Sequence, residues 1–230
     1  CSPDSMRLIR EAFASPAFEI VSSGGANPHA GERLDPAEIA GGYALAVPFL
    51  TGDMSLSAVG TITYRKGDKL IAFGHPMEFR GDTDVPMAAG RIHEILRSAQ
   101  RPFKLSSALN PIGTIRQDRL VAIGGVLGMD PRMIPVEVRV KAQDGADRTF
   151  RFEAAHDRDR LATLLLVAVN ESVAAVGKGS GEASAALEYR LRLEGGREIV
   201  KRDFLSGEQV GSMIGGGLAI LYTLAAHFDI

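Results

Sequence analysis

The sequence predicts a mainly β protein of the α+β class, in which an antiparallel barrel-like unit is followed by an α/β annex. Three observations point there. Twenty-six glycines and 11 prolines in 230 residues suit a chain with many turns better than a helix bundle. Through much of 43–153 apolar residues alternate with period two, as half-buried strands require. Over 157–176 the spacing changes to three and four, the mark of a helix packed on one face. The predicted organisation is an N-terminal helix and irregular connection over 1–42, the barrel-like unit over 43–153, and the annex, with two helices and a hairpin, over 154–230.

Element by element, Met6, Ile9, Arg10 and Phe13 fall at helical spacing, with Asp4 placed to cap the start. The glycines and prolines of 22–42 read as irregular connection. Leu45, Val47 and Phe49 open the strands. Leu56, Ala58, Gly60, Ile62 and Tyr64 share one face of the next, and Lys66-Gly67-Asp68 turns the chain back through Leu70 to Phe73. Residues 87–97 fit strand and helix alike. Val121 to Leu127 and Ile134 to Val140 are strands, and Asp144-Gly145 turns into a partner through Phe150 and Phe152. Leu161, Leu164, Leu165, Ala168 and Val169 mark the first annex helix. Leu187 to Leu193 and Ile199 to Phe204 make a hairpin, and 206–226 reads as the last helix. Its apolar core, Met213 to Ala226, is 14 residues, too short to cross a hydrocarbon layer of about 30 Å as a helix, so no transmembrane helix is predicted.

Charge and composition narrow the function. A net charge of -2 with no basic run gives nucleic acid no electrostatic footprint. Five histidines and one cysteine form no C-x-x-C, H-x-x-x-H or H-E-x-x-H pattern, so no metal site is predicted. Neither a P-loop nor a dinucleotide fingerprint occurs, so no cofactor is predicted either. The single cysteine is Cys1. Three readings of that start stand open: a fragment of a longer protein, a lipoprotein lipidated at Cys1 and anchored at a membrane surface, or an autoprocessed chain with an N-terminal nucleophile.

His75 is the candidate catalytic residue. It follows an apolar strand and lies between Gly74 and Pro76, a setting that fixes the backbone of a general base. The bland alternative is a polar loop residue at a strand end. Asp82 and Asp84 are near enough in sequence to orient an imidazole, though two acids in a polar turn are commonly just solvated. No serine has a matching claim: the chain contains neither G-x-S-x-G nor G-x-S-G-x-P. Ser106 and Ser107 fall in a strand, and Ser180 falls in a linker-like Gly179-Ser180-Gly181.

Gly60-Thr61-Ile62-Thr63-Tyr64 followed by Ala72-Phe73-Gly74-His75-Pro76-Met77 resembles the paired signature of the SpoIVB-type serine peptidase domain family. Gly90-Arg91-Ile92-His93, Phe103-Lys104-Leu105, Ile112-Gly113-Thr114-Ile115, Gln117-Asp118-Arg119 and Gly124-Gly125 resemble further segments of its exported bacterial subgroup. The resemblance covers about residues 41–140. It implies a chymotrypsin-like half-barrel carrying His75 as the base, with a serine supplied from a G-M-S-G-S-P loop that this chain does not contain. Ser2-Pro3-Asp4-Ser5-Met6 resembles the run that closes the serine half. The resemblance thus implies an extracytoplasmic, serine-peptidase-like protein, incomplete or inactive as an isolated chain, acting on a protein substrate or completed by a protein partner. The alternative is a non-catalytic extracytoplasmic scaffold or lipoprotein subunit of a larger assembly.

Overall fold

The computed structural model describes residues 1–13, 20–22, 32–97, 103–176, 183–193 and 195–207. They divide into two compact units. One comprises Phe13–Pro135 with Phe152–Asp157; the other gathers Cys1–Ala12, Val136–Arg151 and the residues from Arg158 onward.

The first unit is built on β1 (Ala44–Gly52), β2 (Leu56–Lys66), β3 (Lys69–Ala72), β4 (Gly81–Leu96), β5 (Phe103–Arg119) and β6 (Ala122–Leu127). All observed pairings among them are antiparallel. With β7 (Met133–Lys141) and β8 (Asp147–Ala155) they form one eight-stranded sheet in the order β2-β3-β6-β5-β4-β1-β8-β7, with a further pairing of β2 to β1. β1 is its centre. Leu45 to Leu50 are all buried, as a strand covered on both faces must be.

This corrects the predicted self-contained barrel and, with it, the chymotrypsin-like half. The cause is local to β1. Its first half pairs with β2 and β4, but the register breaks between Pro48 and Leu50. Beyond that break Leu50, Thr51 and Gly52 pair with Ala154, Glu153 and Phe152 of β8. A strand that changes partner part-way hands the sheet on to β8, so the strands of 43–153 belong to one eight-stranded sheet of a mixed α+β fold and not to a barrel.

Bulges explain the other departures. A register shift between Ile62 and Tyr64 turns the β2 face over, leaving Ile62 buried and Tyr64 exposed. β4 runs 16 residues and β5 17, with four shifts in their shared ladder. These interruptions hide strand periodicity, which is why 87–97 fits a helix equally well in the sequence.

In the second unit, helix α1 (Pro3–Ala12) begins with Ser2 as its cap, not Asp4: Ser5 N–H donates to Ser2 Oγ at 3.3 Å and Met6 N–H to Ser2 O at 2.9 Å. Asp4 sits in the first turn, where a negative charge complements the helix dipole. Helix α2 (Leu161–Val176) buries Ala162 and Leu166 against Leu8, Leu187, Tyr189 and Leu205. The last three come from the antiparallel hairpin of β9 (Ala183–Arg192) and β10 (Glu198–Gly207), whose alternate residues face outward. The helix predicted over 206–226 and the strand suggested by Phe228 to Ile230 lie outside the described residues, apart from Ser206 and Gly207, which end β10.

Candidate functional site

β3 stops at Ala72, and the next eight residues form a loop that leads into Gly81 of β4 with unusual backbone geometry. Phe73, Gly74, Phe79 and Gly81 all have positive φ, at 74°, 74°, 61° and 80°. For the two phenylalanines this is a sparsely populated conformation costing about 1–3 kcal/mol each, which persists only where surrounding contacts impose it.

Those contacts are visible on both sides of His75. On one side Phe73 N–H donates to Thr61 O at 2.9 Å, and the Phe73 ring lies where a side chain on Gly60 would be. A β-carbon there would come 2.5 Å from Cε1 and 2.9 Å from Cγ of that ring. On the other side the loop is tied to Asp118 of β5, a fully buried carboxylate. Its Oδ1 accepts from Met77 N–H at 2.8 Å. Its Oδ2 accepts from Glu78 N–H at 2.7 Å and from Arg80 N–H at 3.3 Å. Three backbone donors satisfy a charge that would otherwise be costly to bury. The Met77 side chain is also buried, and Arg80 bridges Glu78 at 2.6 Å and Asp157 at 3.1 Å.

His75 sits between these clamps and is exposed. Its ring lies 5.7 Å from that of Phe73, tilted by 45°. Nδ1 is 2.8 Å from the carbonyl oxygen of Pro76, and Nε2 has no hydrogen bond among the described residues. The exposed side chains of Phe79, Leu120 and Val121 follow closely in sequence on the loop and on the β5–β6 turn that Asp118 ties together.

The structure does not bring Asp82 and Asp84 to His75. Asp82 pairs with Arg119 at 2.6 Å and Asp84 with Arg116 at 2.7 Å, both across the β4–β5 ladder. Cross-strand ion pairs of this kind on partly exposed strands are worth a few tenths to about 1 kcal/mol. Ser107 does meet a histidine, but a different one: His93 Nε2 is 3.0 Å from Ser107 Oγ, on the exposed stretch of β4 and β5. Ser106 lies beside it in β5, opposite Ile92. Ser180 lies outside the described residues. Cys1 is an exposed free thiol.

Sequence reasoning missed Asp118, which stands in the chain only as the middle of Gln117-Asp118-Arg119, with no role of its own. Periodicity gives no warning, because a register shift between Ile115 and Gln117 places two buried residues, Ile115 and Asp118, three apart.

Among the described residues no group of His, Cys, Asp and Glu is placed to hold a metal ion. Among the same residues no helix is long and apolar enough to cross a membrane. No family model, curated protein or solved structure matches the chain.

Proposed function

We propose that this chain is the histidine-bearing part of an exported, SpoIVB-type serine-peptidase-like protein, and that His75 is the base for a hydroxyl nucleophile carried by a segment or partner outside the described residues. The observation that supports this most is the presentation of His75. Its imidazole stands exposed on a loop held at both sides, bonded through Nδ1 and open at Nε2. A general base needs that combination of fixed position and accessible lone pair. The substrate class is a protein, including the chain's own precursor, and the setting is extracytoplasmic.

One observation favours a second reading, a non-catalytic scaffold or lipoprotein subunit. Among the described residues no serine, threonine or cysteine hydrogen-bonds His75, and a triad lacking its nucleophile does not run acyl transfer.

The full-length gene product separates the two. Processing of the precursor, followed by intact mass, is expected to stop in His75→Ala while the melting temperature stays unchanged. Processing at the wild-type rate in a folded His75→Ala protein overturns the catalytic reading.

A further inference from the structure

We propose that Asp118 orients His75 through a single peptide group, holding the neutral imidazole in the form that carries its proton on Nδ1 and leaves the Nε2 lone pair facing outward. This deepens the catalytic reading of His75 and rests on it only for what Nε2 meets.

The tautomer follows from the partner. A carbonyl oxygen only accepts, so the 2.8 Å contact between His75 Nδ1 and Pro76 O requires Nδ1 to be the donor. The Pro76 carbonyl is not an isolated group. It belongs to the same planar peptide as the N–H of Met77, and that N–H donates to Asp118 Oδ1 at 2.8 Å. With no cis bonds in the described chain, the C=O and N–H of this unit point in opposite directions. The buried carboxylate therefore stands on one side of the peptide plane's long axis and the imidazole on the other.

Fixing the N–H fixes the direction of the C=O, and a negative charge at the N–H end draws electron density toward the carbonyl oxygen. Both effects strengthen the Nδ1–H···O bond, as linked hydrogen bonds do in a low-dielectric setting. The second oxygen of Asp118 holds the amides of Glu78 and Arg80, so the carboxylate has little freedom to swing away. Pro76 removes rotation about its own φ just before this peptide. In the familiar arrangement an acid binds Nδ1–H directly. Here a peptide is interposed, and the acid comes from β5, not from Asp82 or Asp84, whose carboxylates are engaged by Arg119 and Arg116.

Asp118 is thus a positioning residue: it touches neither a nucleophile nor a substrate. Its proposed effect is read at His75 by two-bond 1H–15N correlation in the 15N-histidine-labelled chain, at an alkaline pH where imidazoles are neutral. Wild-type His75 is expected as the Nδ1–H form. In Asp118→Asn it is expected to move toward the Nε2–H form that an unconstrained imidazole prefers, with the other histidines as internal references. Asp82→Asn is expected to leave His75 unchanged. A folded Asp118→Asn protein with an unaltered His75 tautomer overturns the proposal. If that variant does not fold, the wild type still decides. A His75 in the Nε2–H form, or a Met77 amide exchanging as fast as an open loop amide, overturns it; the Nδ1–H form with a protected Met77 amide supports it. None of these readouts depends on whether a serine is ever supplied, so failure here is distinct from failure of precursor processing.

Discussion

Gly60 and Phe73 form the most easily isolated half of the His75 clamp, and their coupling is predicted to reverse the sign of a substitution. In Gly60→Ala the new methyl would begin 2.5 Å from Phe73 Cε1. Carbon pairs settle at about 3.5–4.0 Å, so the ring must give way by about 1 Å or more. It has two ways to do so. Remaining in place means overpacking, which costs about 1–3 kcal/mol. Swinging outward forfeits the ring's burial, and since Phe73 is only half-buried that is about half of the 1.5–3 kcal/mol assigned to a fully buried large apolar side chain. Opposing either is the stiffening of the unfolded chain by alanine, about 0.4–1 kcal/mol, available because Gly60 is not among the residues with positive φ. The net expectation is a loss of about 1 kcal/mol. In a Phe73→Gly background the ring is gone, so only the unfolded-chain term remains and Gly60→Ala becomes neutral or stabilising. Urea denaturation of the four proteins gives the coupling directly, expected at about 1–2 kcal/mol. Equal effects of Gly60→Ala in the two backgrounds would refute the clamp.

Three further outcomes rest on named contacts. Gly113→Ala is expected to destabilise more than Gly60→Ala, because its methyl would press on the Val126 carbonyl and lie 2.9 Å from Leu127 Cα, and ladder backbone yields less than a ring; a smaller loss in urea denaturation than for Gly60→Ala contradicts this. Burial opposes the charge on Glu171, but hydrogen bonds from Ser2 N–H and from the Ser2 and Ser5 hydroxyls outweigh it and hold the carboxyl below its usual value. A depressed carboxylate stabilises the fold above its unfolded pKa, and the gain is lost as pH falls through the folded one. Glu171→Gln keeps an acceptor oxygen but loses the charge, so it should destabilise the fold at neutral pH and change it little in acid, and an equal loss at both would refute the assignment. Finally, a fluorophosphonate probe is expected to label no serine of this chain stoichiometrically. Ser107 beside His93 is the position to inspect by peptide mass mapping, and its full labelling would show a nucleophile that the His75 reading omits.

What the sequence made legible was local. The turn at Lys66 to Asp68 and the hairpin of β2 and β3 follow from a glycine at φ 62° between two alternating runs. The first annex helix follows from its three-and-four spacing, although it starts at Leu161 after a turn and not at residue 157. The placing of His75 just beyond a strand is of the same kind, since Gly74 and Pro76 punctuate the chain by themselves. Interactions that join distant residues left no such trace. The pairing of Leu50 with Ala154 decides whether the sheet stops or continues, yet no spacing announces it. Asp118 reaches the loop across about 40 residues of sequence through a bulged strand, and bulges erase the period on which a sequence reading depends. The resemblance put Gly60, His75 and Asp118 within one set of motifs without giving Gly60 or Asp118 a task; their contacts supply it.

The two clamps bear differently on what His75 can do. The Gly60–Phe73 contact is apolar, and the strained φ of Phe73 gives the chain a reason to relax whenever the ring is displaced. Asp118 instead offers three charge-assisted hydrogen bonds from inside the sheet, which cannot be exchanged for water without exposing a buried charge. A segment docking beside Phe79 and His75 can therefore perturb the Phe73 side far more easily than the Met77 side. The consequence is a ring whose position has some latitude but whose Nδ1 partner has little. Ordering the loop is already accomplished in the unbound fold, so a partner that engages Nε2 loses less conformational entropy than it would on an unstructured loop. For the proposed base this means that the Nδ1 partner is set before any nucleophile arrives, and what remains to be positioned is the imidazole ring together with the incoming hydroxyl.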